Sequence, residues 1–302
     1  MYKTGAAVFR TLPRPISEAL ASTTYAAASK LSEERRLLVT RNLQRVRGAG
    51  FTGEQLEDAI RTTFESYGLY WVDSFRLPKL SEAQIDFEFS YEGVEHIMRG
   101  RANGKGTIHV LPHLGGWEWA AFWLARIMDW QVTAVVEPLE PPDLFEFFAD
   151  FRRSLGMHVV PLGPDAGKEV LRAIKERHII ALLCDRDIEG NGVDVEFFGE
   201  RTTLPAGPAT LALRTGAALL PTAIYFRDKG HYAIVRPPIP VERREKRLRD
   251  DIARVTQDIA VALEDLISVA PDQWHLQQPN WPSDWPALEA IGKHYPRPGE
   301  KH

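Results

Sequence analysis

The sequence predicts an α/β fold: a central, mostly parallel sheet flanked by helices, preceded by an N-terminal helical segment. Three observations predict it. From about residue 85 onward, short apolar runs of strand character alternate with amphipathic helical stretches. Before that, to about residue 80, only helical periodicity is present. Finally, the run Thr107-Ile108-His109-Val110-Leu111-Pro112 ends in His113, two glycines and the start of a helix. A strand that turns straight into a helix is where such proteins place ligands and catalytic groups.

Taken in order, Lys3 and Arg10 precede an Ala-rich stretch from Ala19 to Ala28 that Ser, Thr and Tyr interrupt. With no cleavage site after it, the stretch reads as an amphipathic helix of the mature chain and not as a signal peptide. Ser32 is expected to cap a helix with Glu33 and Glu34 in its first turn and Leu37, Leu38, Leu43 and Val46 at helical spacing; Gly48 and Gly50 stop it. Thr52, with Gln55 three residues on, resembles a capping box for the next helix. That helix carries an aromatic patch of Phe64, Tyr67, Tyr70, Trp71 and Phe75, either packing core or a lipid-contacting face. Strands are expected at 107–112, 132–136, 157–161, 178–184, 218–226 and 231–236. Helices are expected at 92–100, 118–129, 142–155, 165–177, 206–216 and 247–269. Asp228-Lys229-Gly230 makes the last two strands a hairpin, so one sheet edge is expected to be antiparallel.

Composition bounds the chemistry. The 302 residues are 44% hydrophobic and 26% charged, the balance of a soluble globular chain. A formal net charge of -4 gives no overall attraction to nucleic acid. The single cysteine, Cys184, excludes an internal disulfide and follows the strand-like Ala181-Leu182-Leu183, as an inert core thiol would. No segment reaches the roughly 18 to 20 uninterrupted apolar residues of a membrane span. There is no pair of histidines at metal-ligand spacing beside a carboxylate, and no G-x-G-x-x-G fingerprint.

The chemistry concentrates at His113-Leu114-Gly115-Gly116-Trp117-Glu118. Residues five apart on one continuous helix sit roughly 140° apart around its axis and cannot share a face. For His113 and Glu118 to cooperate, the histidine must lie on the loop and the glutamate in the first helical turn, with the paired glycines allowing the bend. Histidine is the side chain best able to take a proton near neutral pH. Each residue also has a structural alternative. His113 can be a strand-end histidine satisfied by backbone, Glu118 a helix N-terminal charge, and Asp185 a salt-bridge partner of Arg186. His158 and His275 read as structural.

Further pieces complete a pattern: Val136-Glu137-Pro138-Leu139, Phe151-Arg152-Arg153-Ser154-Leu155-Gly156, Asp185-Arg186-Asp187, Phe197-Phe198-Gly199-Glu200, Leu204-Pro205-Ala206-Gly207-Pro208-Ala209 with Thr215-Gly216-Ala217, and Gln273-Trp274-His275 to Asn280-Trp281. As an ordered set, spanning about residues 30 to 285, they resemble the glycerolipid and lipid A late acyltransferase superfamily. More closely they resemble its actinobacterial phosphatidylinositol mannoside acyltransferases.

The resemblance implies a membrane-associated enzyme that moves a fatty acyl chain, palmitoyl, from acyl-CoA to a mannose hydroxyl of a phosphatidylinositol mannoside. Acyl-CoA enters as co-substrate, and no cofactor is implied. His113 takes the general-base position and Glu118 the acidic position of the His-x4-acidic motif, where the mannoside acyltransferases usually have aspartate. Asp185 stands where they carry a glutamate, one methylene longer, that orients the histidine. The residue chemistry agrees: a hydroxyl attacking a thioester must lose a proton, and a carboxylate on the other ring nitrogen fixes the tautomer. Arg152 is the expected cationic contact, Glu137 its expected partner, with Glu118 behind the site as a further acceptor for it, and N–H groups at Gly115-Gly116 or Ala206-Gly207 the expected oxyanion donors. One acyltransferase domain over residues 1–302 is expected: a helical, membrane-facing part at 1–80, a core at 85–285 and a tail at 286–302. Expected partners are acyl-CoA, a glycolipid acceptor and an anionic membrane surface on the cytoplasmic side, with no nucleic acid. The competing readings are an acyltransferase for another lipid or a lysophospholipid, and a non-catalytic lipid-binding protein.

Overall fold

In the computed structural model, residues 14–138, 141–228 and 230–300 are described. Lys3, Arg10, Leu139 and the turn position Lys229 therefore lie outside the described residues. Three helices open the chain: α1 (Arg14–Leu31), α2 (Glu33–Arg47) and α3 (Gly53–Arg76). Two expected caps are not made. Ser32 and Thr52 both occupy N-cap positions, yet neither side chain bonds to its helix. Ser32 follows α1 directly and lacks the extended backbone of a capping residue, and Gly53 at φ 67 swings the next helix out from Thr52. A full capping box instead joins Ser81 and Gln84, at the start of the short helix α4 (Glu82–Phe87).

The alternating part follows: β1 (Phe89–Glu92), α5 (Val94–Ala102), β2 (Thr107–Leu111), α6 (Trp117–Arg126), β3 (Val132–Val136), α7 (Pro142–Ser154), β4 (Met157–Pro161), α8 (Ala166–Lys175) and β5 (Ile179–Leu183). A two-stranded hairpin of β6 (Val193–Phe197) and β7 (Glu200–Leu204) comes next, then α9 (Gly207–Thr215), β8 (Ala218–Arg227), β9 (Gly230–Val235), α10 (Leu248–Val269) and α11 (Asp284–Glu289). The central sheet has the order β1-β9-β8-β2-β5-β3-β4. Strands β8, β2, β5, β3 and β4 are mutually parallel, and β9 returns antiparallel to β8 as the hairpin signal predicts. That pair is not the edge, however. β1, absent from the sequence reading, lies outside β9 and runs parallel to it.

Both faces of the sheet are covered, so β2 is buried at every residue, the polar Thr107 and His109 included. One face packs on α8, α9 and α10 through Val170, Ala212 and Leu263. The other packs on α6 and α7 through Trp119, Phe122 and Phe151. The α3 aromatics divide between core and site: Phe64 and Phe75 are buried, while Tyr70 reaches the cleft described below. Among the described residues, no helix is long and apolar enough to cross a membrane.

Burial leaves a mark on acid stability. His109 on β2 bonds through Nδ1 to the Thr222 hydroxyl (2.9 Å), and burial pushes its pKa down to about 4. Its folded pKa lies below the ordinary value of about 6.5, so the unfolded chain takes the proton first. Its contribution is complete above that value and declines as pH falls toward 4, by about 1.4 kcal/mol per pH unit. His109→Gln is therefore expected to flatten the loss of urea stability between these limits by one proton. An unchanged slope means that His109 is solvated in the fold.

Candidate active site

His113 sits just beyond the C-terminal end of β2, and Asp185 just beyond that of the adjacent parallel strand β5. Neighbouring strands therefore bring the two side by side. His113 Nδ1 lies 2.6 Å from Asp185 Oδ1, and the His113 backbone N–H donates to Oδ2 at 2.9 Å. Trp274 Nε1–H donates to the same Oδ2 at 2.8 Å, and the Asn280 side chain donates to the Asp185 carbonyl. Asp185 is fully buried, while the His113 side chain is 34% exposed and lines a cleft. Burial, the largest single influence, pushes the Asp185 pKa up, but the His113 charge and the donated hydrogen bonds outweigh it and hold the carboxyl below its usual value. The aspartate thus reaches the ring.

The loop that carries His113 needs its glycines. Gly115 has φ 58, and a Cβ there would meet the Ile224 carbonyl oxygen at 1.8 Å. A Cβ on Gly116 would meet His231 at 2.5 Å. The Gly115 N–H donates to the Gln273 carbonyl (3.1 Å), away from the cleft, and neither glycine lines it. Of the two backbone donor sets read from the sequence, Ala206-Gly207 at the start of α9 is the one on the cleft wall.

Glu118 lies in the first turn of α6 and makes no hydrogen bond to His113; it is buried behind the cleft. Its Oε1 accepts from Tyr70 (2.7 Å) and from Arg152 Nη2 (3.0 Å), whose guanidinium lies 5.1 Å from the Trp117 ring centre. The pairing of Glu137 with Arg152 expected from the sequence does not occur. Glu118 occupies Arg152, and Glu137 instead accepts from Arg186 at 2.6 Å. Asp187 braces the loop after Asp185 by accepting from the Gly190 and Gly192 N–H groups and the Thr203 hydroxyl. His275 is buried against Ser66 (2.8 Å), and burial then the nearby His113 charge lower its pKa to about 3. Burial and the Asp185 charge push the Cys184 thiol far above its ordinary value, so it is not the nucleophile.

The cleft has a volume of about 420 Å³. Tyr70, His113, Glu137, Arg152, Arg186, Asp187, Glu189 and Asn191 supply polar groups to it, and Trp117, Val136, Leu162, Leu183, Pro208 and Leu211 much of its apolar wall. Sequence reasoning missed Tyr70, Arg186 and Trp274 as site residues. Trp274 and Arg186 stand inside quoted motifs, whereas Tyr70 was visible only as one member of an aromatic patch.

A histidine–carboxylate pair beside an apolar cleft fits a class of enzyme that passes acyl groups to an alcohol. The profile of the bacterial lipid A biosynthesis acyltransferases matches residues 1–283, and the chain belongs to that family. It is homologous to two proteins named phosphatidylinositol mannoside acyltransferase. The one from Mycolicibacterium smegmatis is 34% identical over 288 residues, covering 94% of this chain and 91% of the relative. The one from Mycobacterium tuberculosis (H37Rv) is 37% identical over 227 residues, 74% of this chain and 70% of the relative. Membership makes the chain an acyl-CoA-dependent glycolipid acyltransferase.

Proposed function

We propose that this protein transfers a palmitoyl chain from acyl-CoA to a mannose hydroxyl of a phosphatidylinositol mannoside, with His113 as general base and no covalent acyl-enzyme. The observation that carries this reading is the 2.6 Å contact of His113 Nδ1 with buried Asp185 beside the apolar cleft. With Nδ1–H given to the carboxylate, the neutral ring keeps its lone pair on Nε2. The acceptor oxygen attacks the thioester carbonyl carbon as its proton passes to Nε2. The new C–O bond forms, the C–S bond breaks, and the proton moves from His113 to the departing CoA sulfur. Asp185 stays ionised and stabilises the imidazolium.

Arg152 and Arg186 bring positive charge to the cleft wall, and the Gly207 N–H is the backbone donor for the oxyanion. Glu118 acts through Arg152, and Glu137 through Arg186, as positioning residues. Gly115 and Gly116 shape the His113 loop and contact no substrate. The apolar walls hold the acyl chain, each buried methylene contributing about 0.8 kcal/mol. The relatives' names support the mannoside as acceptor over a lysophospholipid.

Transfer of palmitate from palmitoyl-CoA to phosphatidylinositol mannoside by the purified protein, reduced about 10²–10⁴-fold in His113→Ala, is the expected result. Consumption of acyl-CoA through His113 with this acceptor untouched removes the mannoside assignment. Equal inertness of both proteins toward acyl-CoA favours a lipid-binding role.

The same reading places the protein peripherally on the cytoplasmic face of the cell membrane, against an anionic surface and away from nucleic acid. Ile16 and Leu20, 53% and 45% exposed and four residues apart on α1, support it. Ile16→Glu with Leu20→Glu is expected to weaken cosedimentation with anionic vesicles by roughly tenfold or more, since even partial burial of two such side chains exceeds about 1.4 kcal/mol. Undiminished binding moves the membrane contact elsewhere.

A further inference from the structure

Strands β3 and β5 are neighbours, yet their ladder stops early. Val132, Thr133 and Ala134 pair with Ile179, Ile180 and Ala181, and the pairing ends there, although β3 continues to Val136 and β5 to Leu183. This is not fraying of either strand. β3 stays paired with β4 as far as Val136–Pro161, and β5 with β2 as far as Leu111–Leu183. The two halves of the sheet part between them.

The cleft occupies that parting. Successive side chains on a strand point to opposite faces, so Ala134 and Val136 face one way and Val135 the other. Ala181 and Leu183 are opposed to Leu182 in the same manner. All six line the cleft. A cavity walled by adjacent residues of alternate direction passes through the sheet. It runs from the side of Trp117 and Arg152, packed with α6 and α7, to the side of Val170 and Leu211 on α8 and α9.

The floor of this slot is the last paired rung, and both of its residues are alanine. Apart from Thr133, every other residue of the two strands is Val, Ile or Leu. A larger side chain on the rung would project into the slot. An unbranched alkyl chain is narrow and apolar enough to cross, whereas the charged nucleotide end of CoA is not.

We infer that long acyl chains cross the central sheet through this slot, and that Ala134 and Ala181 set the longest chain accepted. The inference rests on the acyl-CoA reading above and adds the residues that fix donor specificity. A chain that cannot cross loses the burial of its distal methylenes, each worth about fourfold in affinity.

The test compares kcat/KM for octanoyl-, dodecanoyl- and palmitoyl-CoA in the full-length protein and in Ala181→Leu and Ala134→Leu. Ala181→Val is the smaller step should either leucine variant misfold. The octanoyl-to-palmitoyl ratio is expected to rise by roughly tenfold or more, the equivalent of about two denied methylenes. A ratio within about twofold of wild type in every folded variant overturns the inference, because blocked burial at about fourfold per methylene must exceed it. Calorimetry with S-hexadecyl-CoA and S-octyl-CoA, thioethers that cannot be transferred, reads the slot independently of turnover. If the wild type consumes no acyl-CoA but its preference for the longer thioether falls in the variants, the slot stands and the acyl-transfer reading fails. If transfer proceeds and neither preference moves, the slot fails and the transfer reading stands.

Discussion

Asp185→Asn is expected to lower acyl transfer by up to about 10⁴-fold without unfolding the protein, the magnitude seen when a buried carboxylate behind a catalytic histidine is neutralised. The geometry explains why so small a change has so large an effect. Oδ2 accepts from the His113 backbone N–H and from Trp274, both fixed donors. An asparagine must therefore place its carbonyl oxygen there and turn its NH₂ toward His113 Nδ1. That nitrogen then has to accept, so the ring proton moves to Nε2. The base now presents a proton to the acceptor hydroxyl where it needs a lone pair. His113→Ala removes the base altogether and is expected to cost about 10²–10⁴-fold. The double variant should be no worse than the more damaged single, since both residues act as one unit. Independent, multiplying losses in palmitoyl-CoA turnover would separate Asp185 from the histidine and leave it a structural role. Stability carries a check of its own. The Asp185 pKa is depressed in the fold, so its contribution is present above the unfolded carboxylate value and is lost as pH falls through the folded one. The asparagine variant should lack that acid-side loss.

How much of this was legible follows from how local each signal is. β3 and β4 fall at the bounds their apolar runs predict, because Val-rich parallel strands packed against helices declare themselves by composition. β1 has four residues, mostly exposed, and offers no run to read. The β6–β7 hairpin was hidden by Asp194, Glu196, Arg201 and Thr203 on its outer face, although Phe198-Gly199, both at positive φ, form the two-residue turn that such hairpins favour. In the site, His113 and Asp185 were legible because each ends a recognisable strand. Their mutual contact was also foreseeable once the strands were taken as neighbours. A bond from Arg152 to Glu118 was readable too, but the pairing of Glu137 with Arg186 was not. It depends on which side chains of α6, α7 and the loops after β3 and β5 meet, and spacing along the chain does not encode that. Trp274 reaches Asp185 from 89 residues away.

Glu118→Ala is expected to destabilise the fold by about 3–5 kcal/mol, the usual result of removing one partner from a buried ion pair. The glutamate is 1% exposed, and its Oε1 accepts both the Tyr70 hydroxyl and the Arg152 guanidinium. Alanine leaves the arginine charged beside Trp117 with its carboxylate gone, and leaves the Tyr70 hydroxyl without its acceptor. Glu118→Gln keeps an acceptor oxygen for both donors and loses only the charge, so it should fall between wild type and alanine in urea unfolding. Joint replacement by apolar residues, Glu118→Leu with Arg152→Met, should recover much of the stability, because no unpaired charge then remains. That recovery separates the two parts Glu118 can play in the His-x4-acidic motif. A residue that serves only to hold Arg152 loses transfer activity in step with Arg152 and no further, so Glu118→Gln and Arg152→Met should damage turnover to a similar degree and the pair no more than either. A Glu118→Gln defect that far exceeds that of Arg152→Met would mean that the carboxylate meets the reacting groups directly. An alanine variant as stable as wild type would mean that Arg152 finds solvent on its own and that the pair is no part of the core.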